Sequence, residues 1–282
     1  MRILITGAGG MLGSDVCRAA TAAGLEAVAF DHGALDVSDA GAVAKAVGDA
    51  CPDAVINCAA WTDVDGAESR IEEALAANRD GAANLARTAA AAGSWTVHVS
   101  TDYVFDGTKT SPYLESDEVN PLSAYGRSKL EGELAVADAA PDSHTIVRSS
   151  WLFGNAGHCF PKTILRLASE RDELTVVDDQ VGCPTFTEHL AHALIELATA
   201  RRLAGVAHVA ADGECSWFEF AREIVAAAGA SAEVKPGKTA DVARPAPRPL
   251  YSVLRSERLR TPTLPDWREG LEEFMAARVG IS

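Results

Sequence analysis

Apolar runs of strand length recur through the first 150 residues, separated by longer Ala-rich stretches. The runs occupy residues 2–5, 26–30, 54–57, 95–99 and 145–148, and most are rich in β-branched side chains, which suit a pleated surface. Between them, residues 12–24, 40–50, 71–93 and 124–139 have helix length, and two of these close on glycine, at Ala23-Gly24 and Ala92-Gly93. Such alternation predicts a parallel sheet covered on both faces, the doubly wound α/β class. The remainder is less regular. Residues 160–170, 187–200 and 217–228 read as helices and 205–210 as a further buried strand. The Pro-rich stretch 243–249 can be neither helix interior nor central strand. It reads as an ordered loop, because apolar and helical sequence resumes at Leu250 and continues through Trp267 to Met275.

The first chemical signal lies directly after the first strand, in Thr6-Gly7-Ala8-Gly9-Gly10-Met11-Leu12-Gly13. Glycines at 7, 10 and 13 give a tight turn, let backbone approach a pyrophosphate, and allow close helix–sheet packing. The anion would then sit on the helix N-terminus, where free N–H groups and the dipole favour it. Asp31 ends the second strand, where a carboxylate can accept hydrogen bonds from an adenosine ribose and repels a 2'-phosphate, so NADH is favoured over NADPH. Asp36 and Val37 border the adenine in one reading; in the other, Asp36 or Ser38 caps a helix.

A second signal is Tyr125-Gly126-Arg127-Ser128-Lys129. Positions i and i+4 share a helix face, and a cation beside a phenol favours phenolate, easing proton exchange with a carbonyl oxygen near neutral pH. The third is the polar burst Ser100-Thr101-Asp102-Tyr103 at the end of a strand, where ligands of open α/β sheets bind.

Composition narrows the partners. A formal charge of -15 argues against a nucleic-acid partner, since phosphate neutralisation needs clustered cations, yet leaves room for one small nucleotide. The six cysteines show no CxxC pair and suggest neither a disulfide framework nor a zinc ribbon. No apolar run approaches the roughly 20 residues that span a bilayer, and the N-terminus runs straight into the glycine motif without a signal-like segment, so no membrane partner and a cytoplasmic location are expected.

Together these residues resemble the extended short-chain dehydrogenases/reductases, and more narrowly the dTDP-4-dehydrorhamnose reductase family. The likeness covers nearly the whole chain. It rests further on Ala59-Ala60-Trp61-Thr62-Asp63-Val64-Asp65 with Ala67-Glu68, and on the phrase running from Ser100 to Gly107. Arg148 to Gly154, Asp179 to Thr185, and Ala243-Arg244-Pro245 with Ser252-Val253-Leu254 add to it. The resemblance implies a Rossmann-like domain for NAD(P) over residues 1–152 plus about 184–211, and a smaller C-terminal substrate-binding domain over about 153–183 plus 212–282. It implies a triad of Thr101, Tyr125 and Lys129, with Tyr125 giving a proton to the oxygen of a sugar C4 keto group as hydride arrives. Asp102, Tyr103 and Trp151 would meet a dTDP-linked 4-keto-6-deoxysugar. Gly7, Gly10, Met11, Leu12, Gly13, Asp31, Asp36, Val37, Ala59, Ala60 and Thr62 would line the cofactor, NADH or NADPH, with Tyr125 and Lys129. Some members bind Mg2+ through carboxylates at a dimer contact; Asp15 and Glu188 fall near suitable places without completing a set, and a homodimer is expected on the same ground. Two alternatives stay open: another nucleotide-deoxysugar 4-ketoreductase or epimerase of secondary metabolism, and a non-catalytic cofactor-binding regulatory subunit.

Overall fold

The computed structural model describes residues 1–279, so positions 280–282 of the expected C-terminal domain lie outside the described residues. The first half runs β1 (Arg2–Thr6), α1 (Met11–Ala22), β2 (Glu26–Phe30), α2 (Ala40–Ala50), β3 (Ala54–Asn57), α3 (Val64–Ala67), α4 (Ile71–Leu75), a π-helical turn (Ala76–Asp80), α5 (Gly81–Ala91), β4 (Trp95–Thr101), a 3-10 turn (Asp102–Val104), α6 (Ala124–Ala139) and β5 (His144–Ser149). The second half runs β6 (Leu152–Phe153), α7 (Phe160–Glu170), β7 (Glu173–Val177), β8 (Val181–Gly182), β9 (Thr185–Phe186), α8 (Thr187–Ala200), β10 (Gly205–His208), β11 (Cys215–Ser216), α9 (Trp217–Ala227), β12 (Glu233–Gly237) and α10 (Trp267–Val279).

A six-stranded sheet in the order β2-β1-β3-β4-β5-β10 forms the centre, with every pairing parallel. Alternate residues of each strand serve opposite faces. Ile3, Ile5, Ile56 and Val97 pack against Val16 of α1 and Leu190 and Leu194 of α8. Leu4 and Val55 instead meet Val43 and Val47 of α2 and Leu85 of α5. This is the doubly wound α/β fold expected from the alternation. The strand order reverses between β1 and β3, which opens a crevice above their C-terminal ends, the usual ligand position in such sheets.

A second core gathers Phe153, Phe186, Phe220, Trp267, Leu271 and Phe274 from β6, β9, α9 and α10. Phe153 sits at its centre, 5.5 Å from Phe186 and 5.4 Å from Phe220 between ring centroids. Three two-stranded pairings, β8 with β11, β7 with β12 and β6 with β9, frame this half.

Two expectations need correction. The helix expected over 71–93 is interrupted by the π-turn at Ala76–Asp80, whose Asn78 side chain is drawn inward to the backbone N–H and C=O of Trp61 and the Ser128 hydroxyl. Helix does not resume at Leu250. The chain stays irregular to Asp266, held by single bridges of Leu254 to Tyr113 and Tyr251 to Val181, and α10 begins at Trp267.

Candidate active site

The turn after β1 shows why glycine is needed there. Gly7 has φ +68°, and a Cβ on it would lie 2.6 Å from the Ala59 nitrogen; one on Gly13 would lie 2.1 Å from the Gly7 carbonyl oxygen. The turn is thereby clamped between the start of α1 and the segment after β3. Gly9 and Gly10 are exposed, and Gly10 precedes α1 with extended backbone and no side-chain cap, so the first N–H groups of a 12-residue helix face outward. These residues fit a dinucleotide diphosphate: the cradle is bare backbone at a helix N-terminus, beside the sheet's switch point.

The other expected cofactor residues fall unevenly around this cradle. Asp31 lies beside it, its Cβ 3.2 Å from where a Gly9 side chain would stand, and uses Oδ1 to accept the Ala34 N–H at 2.9 Å. Ala59, Ala60 and Thr62 follow β3 directly, and the Ala59 N–H is fixed by Asn57 Oδ1 at 3.0 Å. Leu12 and Val37 turn their side chains into the hydrophobic cores, leaving only main chain for a ligand. Asp36 accepts the N–H and hydroxyl of Ser38 at 2.9 and 2.7 Å, capping its own turn, and those bonds hold its carboxyl below the usual range. Met11 packs near Gly154, its Cγ 3.2 Å from where a Cβ on that residue would stand.

The acid–base residues come together between β4 and α6. Ser123 caps α6 through the Gly126 N–H at 3.1 Å, and Glu68 accepts the Ala124 N–H at 2.7 Å. Gly126 lets the helix touch the 3-10 turn: a Cβ there would stand 2.3 Å from the Tyr103 carbonyl oxygen. Tyr125 therefore meets Tyr103 edge to face at 5.6 Å. The Thr101 hydroxyl donates to Asp102 Oδ1 at 3.0 Å and accepts the Tyr103 N–H at 3.2 Å. Lys129, 3% exposed, donates to the Val99 carbonyl at 2.7 Å.

The expected acidification of the phenol is not what this arrangement gives. Burial pushes Tyr125 above its ordinary value, with Thr101 opposing and Asp102 and Tyr103 adding to the rise, while the Lys129 ammonium is directed to a backbone carbonyl. Lys129 itself is pulled down by burial to about 8, against the pull of Glu133 and Cys58. The phenol is thus held in its proton-carrying form, as a donor needs to be. Burial pushes Asp102 up to about 6, with Ser252 and Thr101 opposing, and no well-formed hydrogen bond reaches its Oδ2. Tyr103 is raised to about 12 by burial and by Asp102, with Arg248 pulling the other way.

Over this row lies the Pro-rich segment. Arg248 pairs with Asp65 through two parallel bonds of 2.7 and 2.8 Å and also reaches Tyr103, while Pro249 rests on Gly107, whose φ is +76°. Trp151 has the unusual φ of +47° and stacks on Trp217 at 3.6 Å and 5°. Its ring also fills the space that a side chain on Gly182 would need. Asn78, Arg248 and Trp217 escaped the sequence reading; only the Ala243-Arg244-Pro245 phrase pointed to this stretch.

Asp15 and Glu188 do meet, but across a cation the chain supplies itself. Arg18 bonds to Asp15 and lies 3.6 Å from Glu188, and Asp15 also accepts the Thr187 hydroxyl. Among the described residues no group of three or more His, Cys, Asp or Glu side chains could hold a metal ion. With a guanidinium between the two carboxylates, the set does not fit Mg2+. No helix among the described residues is long and apolar enough to cross a membrane.

The chain matches the family described as RmlD substrate binding domain over residues 1–279. It is 43% identical over 288 residues to a dTDP-4-dehydrorhamnose reductase of Mycolicibacterium smegmatis, covering 100% of this chain and 87% of that one. A dTDP-4-dehydrorhamnose reductase structure from Clostridium acetobutylicum superposes with a TM-score of 0.95 at 41% identity, covering 99% of this chain and 100% of that one. Another, from Bacillus anthracis in complex with NADP, gives 0.94 at 38% identity, covering 98% and 99%. Glycine turn, Thr101-Tyr125-Lys129 row and whole-length likeness agree: the chain belongs to the RmlD family, that of the dTDP-4-dehydrorhamnose reductases.

Proposed function

We propose that this protein is a cytoplasmic enzyme that reduces the C4 keto group of dTDP-4-dehydro-L-rhamnose with NADH or NADPH, giving dTDP-L-rhamnose. The observation that carries this reading is the row of Thr101, Tyr125 and Lys129 at the end of β4 and the start of α6, above the switch point that also holds the glycine turn. The nicotinamide, when bound, supplies hydride for the carbonyl carbon. Tyr125 gives its phenolic proton to the oxygen on which negative charge develops, and Thr101 holds that oxygen by a hydrogen bond. Lys129 keeps a positive charge beneath the same point. Asp102, buried and with one oxygen lacking a good partner, would accept a sugar hydroxyl, and Trp151 would offer the sugar an apolar edge.

The test is loss of cofactor absorbance with dTDP-4-dehydro-L-rhamnose and each nicotinamide in turn. Turnover is the expected result. Faster reduction of a different dTDP-4-keto-6-deoxysugar would replace the substrate, and tight cofactor binding without turnover of any would favour a regulatory subunit. Asp31→Ala is expected to weaken NADH more than NADPH; equal weakening would deny Asp31 its ribose contact.

The pH dependence follows from two buried groups. Asp102 is needed ionised to accept, and it takes up a proton as pH falls through about 6. Lys129 is needed charged, and it loses its proton as pH rises through about 8. The kcat/KM profile is therefore expected to be a bell between these limits. Asp102→Asn should remove the acid limb and leave the alkaline one; an acid limb that persists in this variant belongs to another group.

A further inference from the structure

Three consecutive residues of β4 each serve one of three residues spaced a helical turn apart on α6. Thr101 serves Tyr125, the Val99 carbonyl takes the Lys129 ammonium, and the Ser100 hydroxyl donates to Glu133 Oε1 at 2.5 Å. The first two belong to the reaction proposed above. The third is a carboxylate 3% exposed, in the interior of a protein where an unpaired charge would not survive. Arg148 of β5, equally buried, meets it through Nε at 2.9 Å and Nη2 at 2.6 Å. Behind Arg148 stands His208 of β10, whose Nδ1 lies 3.0 Å from the carbonyl oxygens of Tyr113 and Arg255 and so donates to them. Its Nε2 is then an acceptor for Arg148 Nη1 at 3.4 Å, and burial holds the ring neutral.

We infer that Glu133 is a positioning residue for the reduction: its carboxylate, one helical turn past Lys129 and fixed by Ser100 and Arg148, holds the Lys129 ammonium charged and in place. The inference rests on the function proposed above. A pair whose only task was cohesion would be as well made by two apolar side chains. This one is oriented, with its negative end on the helix that carries Lys129 and its positive end one strand farther along the sheet. The other groups around Lys129 offer no substitute. Cys58 at the end of β3 is a thiol pushed up to about 12 by burial, His98 of β4 is held neutral by burial, and Tyr125 stays protonated. Asn78 and Ser128 bond to each other at 2.8 Å and carry no charge. Glu133 is thus the one carboxylate among these groups, one turn along the same helix face, and its negative charge favours the protonated Lys129.

The experiment uses the full chain and Glu133→Gln, which keeps the shape and removes the charge. The Lys129 titration is followed by NMR of 13C-labelled lysine without cofactor or substrate, and the alkaline limb of kcat/KM is measured separately. Both are expected to move to lower pH by about one unit or more, and Glu133→Asp should restore part of the shift. If Gln at 133 prevents folding, the double variant Glu133→Gln/Arg148→Met removes both charges and is expected to show a displacement in the same direction but smaller, because the Arg148 cation that also repels the ammonium is gone. A Lys129 titration unchanged in a folded variant overturns the inference, whatever happens to Tm. Because that titration needs no turnover, its outcome stays separate from whether the sugar proposed above is the substrate.

Discussion

Tyr125→Phe is expected to lower kcat by about 10²–10⁴-fold while the protein stays folded and still binds its nicotinamide cofactor. The substitution removes one oxygen. The ring remains, and with it the edge-to-face contact with Tyr103 at 5.6 Å, so α6 has no reason to shift. What is lost is the proton at the place where the carbonyl oxygen becomes an alkoxide; Lys129 cannot replace it, because its ammonium is turned to the Val99 carbonyl. Three measurements decide the matter: turnover at saturating substrate, cofactor binding by fluorescence, and Tm. Unchanged turnover with a native Tm would remove Tyr125 as the donor. A loss of cofactor binding equal to the loss of rate would make it a binding group instead.

Arg148→Met is expected to cost about 3–5 kcal/mol of stability, lowering Tm by on the order of 10 °C. Both partners of the Glu133–Arg148 pair are almost wholly buried, at 3% and 5% side-chain exposure, so removing one charge strands the other where water cannot reach it. The Ser100 hydroxyl would be Glu133's one remaining partner. Scanning calorimetry should recover much of the loss when Glu133→Gln is added, since two neutral groups leave nothing unpaired. If the single variant unfolds within a degree or two of the parent, the pair is better hydrated than its burial indicates.

The sheet was readable in the sequence because its strands carry their own signal. Residues 54–57 are apolar enough to be buried on both faces, and they form β3 with those bounds. Helices 124–139, 160–170 and 187–200 likewise match α6, α7 and α8, since Ser123, Cys159 and Phe186 bring the chain in extended and the apolar spacing sets the rest. The glycine turn was legible for the same reason: a strand, three spaced glycines and a helix are a local pattern. What escaped was decided by distant partners. Nothing near Asn78 in sequence says that Trp61 and Ser128 will draw its side chain inward and loosen the helix into a π-turn. Leu250 to Asp266 looks helical by its apolar content, yet its backbone is spent on bridges to Tyr113 and Val181. The side chain of Val37, read as bordering the adenine, fills the space over Gly81, which leaves the main chain for that contact. An acid phenol is expected from the spacing of Tyr125 and Lys129 and from the family resemblance; burial raises the phenol instead, and spacing does not say where an ammonium points.

The bond between Asp65 and Arg248 joins groups 183 positions apart. During synthesis the dinucleotide turn and the acid–base row leave the ribosome early, and domains tend to mature from the N-terminus as they emerge. Arg248 and Pro249 follow only after β10 has completed the sheet, so the segment over Tyr103 and Gly107 is laid long after the row it covers. An unfinished chain would carry the glycine turn and the acid–base row before it carries the segment that covers Tyr103.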